Sequence, residues 1–420
     1  MSPDVSPDKP SLRRRINPES LGVVALLTLA VALGPLATDL YLPSLPAIGR
    51  YFAADVAATQ LTLSVFLVGF AVSQLVYGAL SDRFGRRPVM LAGLVIFLAA
   101  SALCALAPSL ELLILGRFLQ ALGVCAGPVL GRAVVRDVFG PGRAAKVLSY
   151  MAAAMALGPA IGPIIGGLLE AWVGWRANFW ALTVICGVLL LGMGLVLPET
   201  NRHKDPTATQ PLRMLGNFAT LLGHRGYLGY ALIVACAYSG IFAFISGSSF
   251  LLIEVAGLSP EAYGFCFAAA VLGYMIGTLI SGRFGQRLGQ ERTLALGVAV
   301  VLLSGAAGLG LALAGVAGVA AVVAPVGGYL VGCGLMLPNA LAGALRHYPR
   351  MAGAASSLMG FLQMSVAAAV GIGVGRLHAG SAVPMAGASA GAALACLLAL
   401  LLLVRPGNRH DAAHRSTPTH

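Results

Sequence analysis

A chain of 420 residues, 58% of them hydrophobic and 10% charged, with a mean hydropathy of +0.87, holds more apolar surface than a soluble core of that size could hide, so it belongs in lipid. Backbone polar groups cannot stay unpaired in hydrocarbon, and the apolar runs here are about 20 residues long rather than alternating stretches of about 10, which excludes a β-barrel and leaves helices. The formal charge of +12 is scattered through short loops, with no domain to present it as a patch, which argues against nucleic acid as a partner.

Arg13-Arg14-Arg15 ahead of the apolar run from Leu21 imitates a secretory signal, but the run continues into Asp39 and Pro43 without a small-residue cleavage site, so it is read as the first membrane span. Apolar runs broken by charge, proline or polar clusters predict twelve spans, at about 21–42, 59–80, 89–106, 110–133, 146–169, 178–197, 225–247, 263–281, 293–314, 317–340, 353–375 and 384–404. The predicted fold class is therefore an all-α integral membrane protein, with twelve transmembrane helices in two six-helix bundles related by a pseudo-two-fold axis. Its parts are a tail at 1–20, a bundle at 21–198, a polar linker at 199–223 expected to be mobile, a second bundle at 224–405 and a tail at 406–420. With the first tail cytoplasmic, nearly all the arginines and lysines between spans face inward, which orients the bundle and places both termini in the cytoplasm. The seven cysteines lie singly in apolar runs, so neither a disulfide framework nor a metal site is expected.

Ser81-Asp82-Arg83-Phe84-Gly85-Arg86-Arg87 returns two hundred positions later as Ser281-Gly282-Arg283-Phe284-Gly285-Gln286-Arg287, each copy between two long apolar runs. Duplication of this kind is how many secondary transporters are built, with the substrate site where the halves meet. In the first copy Gly78 would allow tight packing, and Asp82 could reach the positive N-terminal end of the eleventh span near Gly353. Gly78, Asp82, Arg83, Gly85, Arg86 and Arg87 would then form an inner latch between the halves. The competing reading is a plain charged loop.

Of fifteen acidic residues, only Asp39 falls within a predicted span, with Glu111, Glu170, Glu254 and Glu261 at span ends or in outer loops. A carboxyl there is expensive, and a functional role is its default explanation; one that binds a proton facing one side and releases it facing the other is a proton carrier. The alternative is that Asp39 lies near the outer interface and merely helps end the span. Arg117 in the fourth span needs a partner, and Asp39 is the carboxylate available, so the two are expected to interact; the alternative is an arginine snorkelling to the headgroups. In the fifth span Gly158, Gly162 and Gly166 share a helical face that lets a neighbour come close, while Pro159 and Pro163 bend the rod and Gly167 follows. For substrate contact the candidates are Tyr41, Gln74, Tyr238, Phe242, Asn339, Phe361 and Gln363, taken as a set, since each alone reads more readily as packing.

These residues resemble a family. Twelve spans, a polar middle linker and the run Gly78 to Arg87 resemble the major facilitator superfamily, and Arg117 to Gly123 is similar to its fourth-helix motif, with Ala121 where glycine is more usual. Gly158 to Gly167 is similar to the fifth-helix antiporter motif. Thr38 to Pro43, Arg132 to Asp137 and Trp175 to Phe179 resemble the bicyclomycin and chloramphenicol resistance branch. The resemblance implies that Asp39 is a proton- and substrate-responsive carboxylate supported by Arg117. It implies a proton-coupled antiporter that exports small apolar or amphipathic compounds from the cytoplasm across a bacterial inner membrane. Such a protein is not an enzyme, has the proton gradient in place of a cofactor, is surrounded by membrane lipid and is expected to be a monomer. The rival readings are an exporter or importer of one endogenous metabolite, and an integral-membrane enzyme or receptor. Against the last, all seven histidines fall in loops, tails or span ends.

Overall fold

The computed structural model describes residues 20–139, 141–201, 204–346, 348, 351–377 and 380–406. Apart from Ser20 and Pro406, the two predicted tails lie outside the described residues. Among the described residues, twelve helices are long and apolar enough to cross a membrane: α1 (Leu21–Tyr51), α2 (Val56–Phe84), α3 (Arg86–Leu106), α4 (Leu110–Val138), α5 (Lys146–Val173), α6 (Arg176–Val196), α7 (Arg225–Val255), α8 (Pro260–Gly285), α9 (Gln290–Leu313), α10 (Val319–Arg346), α11 (Ala352–Arg376) and α12 (Val383–Val404). Each predicted span falls on one of them, and most helices run a turn or more beyond the apolar segment, because polar residues at the ends continue the backbone ladder into the interface.

The duplication is visible in which helices touch. In the first half α1 packs on α4, α5 and α6, α2 on α4, and α3 on α4 and α6. In the second half α7 packs on α10, α11 and α12, α8 on α10, and α9 on α10 and α12, each pair displaced by six helices. Across the halves α2 meets α11 and α5 meets α8, a reciprocal pair that a two-fold operation exchanges. Small residues set the spacing. A methyl group added at Gly123 of α4 would stand 2.5 Å from the Gly93 carbonyl of α3, and one at Gly297 of α9 would meet the Gly332 carbonyl of α10 at 2.8 Å. Lipid tails are as apolar as leucine, so close backbone packing is what gathers helices in a membrane. Leucines and valines such as Val184, Val188, Leu191 and Leu195 on α6 are left exposed to face lipid.

Proline and polar breaks shape the helices around the centre. α1 carries Pro35 inside its first segment, Leu21–Asp39, and turns through a 3-10 step at Leu42–Ser44. α4 breaks at Cys125, between Leu110–Val124 and Ala126–Val138.

The two copies of the repeated loop do not fold alike. In the first, Gly85 takes φ +110°, a conformation that favours glycine, and α3 starts at the next residue. In the second, Gly285 stays helical, the helix runs on to Leu288, and the turn falls at Gly289 with φ +81°. The linker also differs from expectation, since Pro211–Gly223 is a helix with Leu221 buried and Phe218 packed against the second half. Ahead of it, the hydroxyl and backbone N–H of Thr207 bond the Asp205 carboxylate at 2.6 and 2.8 Å and hold it below the usual carboxylate range.

Candidate functional site

Asp39 closes the first segment of α1 and is only 3% exposed. It is pressed there by the glycine face of α5. A methyl group at Gly158 would meet Pro35, one at Gly162 would meet the Asp39 Cβ at 3.2 Å, and one at Gly166 would run into the Leu40 carbonyl. The next glycine points elsewhere: Gly167 lies against Pro260 and Glu261 of α8, and Gly264 of α8 lies against Pro163 and Ile164. One helix thus carries the acidic element on one side and the opposite half on the other. Glu170, read from sequence as lying at a span end, falls in the final turns of α5 and accepts from the Ser44 hydroxyl at 2.6 Å.

Arg117 is fully buried and does not bond Asp39. Its Nη1 donates to the Ala37 carbonyl at 2.9 Å and to Gln120 Oε1 at 2.7 Å, and its Nε donates to the Thr62 carbonyl at 3.4 Å. The guanidinium lies between the rings of Tyr41 and Phe66, 4.2 and 4.3 Å from their centroids. The expected ion pair is therefore replaced by a dipolar and aromatic cradle. The reason is local: Ala37 sits in the last turn of a helix, where carbonyls lack intrahelical partners and the dipole is negative. Among the described residues nothing accepts from Arg117 Nη2, so one donor stays free in a group whose charge acts on Asp39.

From the other half, Tyr238 and Tyr263 lie within electrostatic range of Asp39; Tyr263 shares a hydrogen bond with Ser248 at 2.9 Å. At the end of the bundle away from the Ser81–Arg87 loop the halves are tied together. Gln60 Nε2 donates to the Ser246 carbonyl at 2.9 Å, the Ser246 hydroxyl donates back to Gln60 Oε1 at 3.0 Å, and Arg50 pairs with Glu254 at 3.2 Å. Contact between α2 and α11 continues as far as Gln74 against Gly360. Beyond it a methyl group at Gly78 or Gly353 would meet nothing within 4 Å, so these helices part toward the loop. Gln60→Ala removes two buried bonds, roughly 1–2 kcal/mol, and is expected to shift the balance about 5–30-fold toward opening of the tied end. A Ser64→Cys reporter labelled by an impermeant maleimide reads that shift, and unchanged labelling would refute it.

The latch takes another form. Asp82 pairs with Arg86 at 2.6 Å, and Arg86 also pairs with Asp137 at 3.1 Å and bonds Ser81. Arg83 donates to Thr209 and Arg87 to the Gly194 carbonyl. The Glu199 carboxylate accepts the backbone N–H groups of Arg86 and Arg87 beside Gly85, an anion on a helix N-terminus. The described contacts of the loop bind it to its own half and the linker, not to α11 as expected; Arg86 lies within reach of Asp82, whereas α11 has parted from α2.

The predicted substrate set does not converge. Tyr41 is enclosed in the first half, with its hydroxyl 3.2 Å from Thr62. Phe242 is buried against Gly371. Asn339 donates to Ser281 at 2.9 Å and to the Leu335 carbonyl at 2.8 Å, joining α10 to α8. Phe361 packs in the second half's core. Tyr238, Gln74 and Gln363 are half-buried, and of these Tyr238 lies in range of Asp39. Sequence reasoning missed Gln60, carried Gln120 only inside the Arg117 to Gly123 motif without giving it a role, and missed Tyr263. The first two had a usable signal, since a glutamine in a membrane span must find a partner. Among the described residues no His, Cys, Asp and Glu gather as a metal site would require.

The family model described as Major Facilitator Superfamily matches residues 27–372. The chain is 32% identical over 370 residues to the uncharacterized MFS-type transporter YdgK of Bacillus subtilis, covering 87% of this chain and 91% of that one. It is 31% identical over 386 residues to multidrug resistance protein D of Escherichia coli, covering 92% and 95%, and 27% identical over 374 residues to a bicyclomycin resistance protein homolog of Haemophilus influenzae, covering 88% and 93%. Among solved structures, a D-xylose–proton symporter superposes with a TM-score of 0.71 at 15% identity, covering 91% and 97%. A bacterial homologue of the human lysosomal transporter Spinster, in an inward-facing and unoccupied conformation, superposes with a TM-score of 0.64 at 16% identity, covering 94% and 96%.

Proposed function

We propose that this chain, which belongs to the Major Facilitator Superfamily, is a proton-driven antiporter that exports small, largely apolar compounds from a bacterial cytoplasm. The observation that carries the reading is Asp39, a buried carboxyl at the meeting of the halves, seated on a glycine face and beside a guanidinium that keeps a donor free. A carboxyl in that position has to exchange its proton with one side at a time. When Asp39 is ionised, the free Nη2 of Arg117 is its nearest available charge; when it is protonated, Arg117 keeps its carbonyls and rings. The two protonation states thus favour different seatings of α1, and α5 passes that difference to α8. Relatives named for multidrug and bicyclomycin resistance favour export.

With the arginine-rich loop cytoplasmic, the present arrangement opens inward and is closed outward by Gln60, Ser246, Arg50 and Glu254. Rocking would break those contacts and bring α2 onto α11 at Gly78. One proton entering across about 100 mV and one pH unit supplies roughly 3.7 kcal/mol, enough for a concentration ratio of several hundred. A single chain in the inner membrane, with both termini cytoplasmic and no cofactor, suffices for this cycle.

The test is a panel of antibiotics scored for resistance on expression, followed by inverted vesicles in which a compound from that panel is added and proton movement is followed. Compound-dependent proton release supports the reading. Accumulation of the compound without proton movement would leave an exporter of another kind.

A further inference from the structure

The second segment of α4, Ala126–Val138, is packed on three sides. Gly127 lies against Ala30 and Gly131 against Val31 and Met151, Ala126 lies against Gly93 of α3, and just before the break the Leu122 carbonyl accepts from Tyr77 of α2. Arg132 and Arg136, one turn apart, emerge on the remaining side and are exposed. Arg132 is nevertheless enclosed by protein at longer range and acts electrostatically on Cys125, two turns nearer the membrane centre. A helical side chain leans toward the N-terminus of its helix, and for α4 that direction leads inward, away from the loop face. Because α1, α2, α3 and α5 cover the other sides of the segment, its free side is assigned to the cleft between the halves, and the lean keeps Arg132 off the headgroups. It stands fifteen positions, about 22 Å of helix, from Arg117.

Arg132 has no counter-ion among the described residues. Among the described residues nothing accepts from its side chain or pairs with it, and its neighbour Arg136 carries the same charge. The described acids at this end of the first half are engaged, Asp82 with Arg86, Asp137 with Arg86 and Thr200, and Glu199 with the backbone of Arg86 and Arg87. Facing it from the second half, α10 and α11 contain no acidic residue, and the acids of α7 and α8, Glu254 and Glu261, sit at the far end. An exposed guanidinium with no carboxylate on it has its fork free, and a planar fork fits a carboxylate or sulfonate.

We propose that Arg132 is an anion-recognition site in this cleft, and that the compounds the protein takes up include amphiphiles with an apolar body and one negative charge. The substrate-class part rests on the export reading; the anion site does not. Export of a monoanion against a proton moves two charges in the favourable sense, adding about 2.3 kcal/mol per 100 mV.

The test is equilibrium binding to the full chain in nanodiscs of zwitterionic phosphatidylcholine. Anilinonaphthalene sulfonate is the anionic probe, and N-phenylnaphthylamine, the same body without the sulfonate, its neutral partner. Arg132→Gln is expected to weaken the sulfonate dye at least about tenfold and leave the neutral dye within about twofold, while Arg132→Lys falls between. Undiminished sulfonate binding in Arg132→Gln overturns the site. So does loss of the wild-type preference when anionic phosphatidylglycerol is added, because the anion held there is then a lipid headgroup. Should the glutamine variant lose both dyes, the lysine variant decides, and equal loss of both dyes in it also overturns the site. Binding needs no proton gradient, so a protein that holds the sulfonate dye but releases no proton in vesicles would sink antiport and leave the anion site standing.

Discussion

Asp39→Asn is expected to reduce compound-driven proton release to the background of empty vesicles while the purified variant stays folded and still binds its compounds. Asparagine has nearly the shape of aspartic acid but cannot gain or lose a proton, so the coupling step disappears and the packing on Gly162 does not change. The cost to folding is set by what Arg117 loses. Had the two formed a buried ion pair, removing one partner would cost about 3–5 kcal/mol. Instead Arg117 bonds Ala37, Thr62 and Gln120 and lies between Tyr41 and Phe66, none of which depends on the Asp39 charge, and the expected loss is below about 1 kcal/mol. Equilibrium exchange of labelled compound at equal pH should persist. Proton release at the wild-type level in the variant would remove Asp39 from the mechanism; a variant that does not fold would mean that the two side chains are paired after all.

The spans were legible because a helix in lipid must be long and apolar throughout, and the duplication was legible because its loop is a charged interruption between such runs. The turn at Gly85 was not separable from its copy. Whether the chain turns at Gly85 or runs on past Gly285 depends on what receives the new helix end, and Glu199, more than a hundred positions away, does so in the first copy only. The same limit governs the site. Burial of Asp39 follows from its place in an apolar run, but the partners of Arg117 are mostly backbone carbonyls, which every residue carries and no pattern marks. Tyr41, Phe242 and Asn339 have the chemistry of ligand contacts and are spent on packing, because aromatic and amide groups serve both uses at the same spacing. The linker helix Pro211–Gly223 was hidden by the polar residues ahead of it, although Phe218 and Leu221 share a face.

Gly166→Ala is expected to destabilise the purified protein by roughly 1–3 kcal/mol or more, although alanine is the better helix former. The comparison is with Gly310→Ala in α9, where an added methyl group meets nothing within 4 Å and the change should be neutral or favourable by up to about 1 kcal/mol. At Gly166 the same methyl group would run into the Leu40 carbonyl, with the Leu40 carbonyl carbon 2.7 Å away. Backbone cannot rotate out of the way as a side chain can, so α1 has to move and carry Asp39 with it. Cys104, Cys125, Cys186, Cys333 and Cys396 are buried and free, so a thiol-reactive dye that lights up on unfolding measures both variants. An unchanged transition in Gly166→Ala would mean that α1 is not held against α5. Gly167→Ala, one residue on, separates the two faces of the same helix: its methyl group would meet Pro260 of α8 instead. It should therefore loosen the tied end, raising labelling of a Ser64→Cys reporter while α1 keeps its seat. If α5 transmits the state of Asp39 to the opposite half, these adjacent glycines must fail differently, one by displacing the acid and the other by uncoupling the halves.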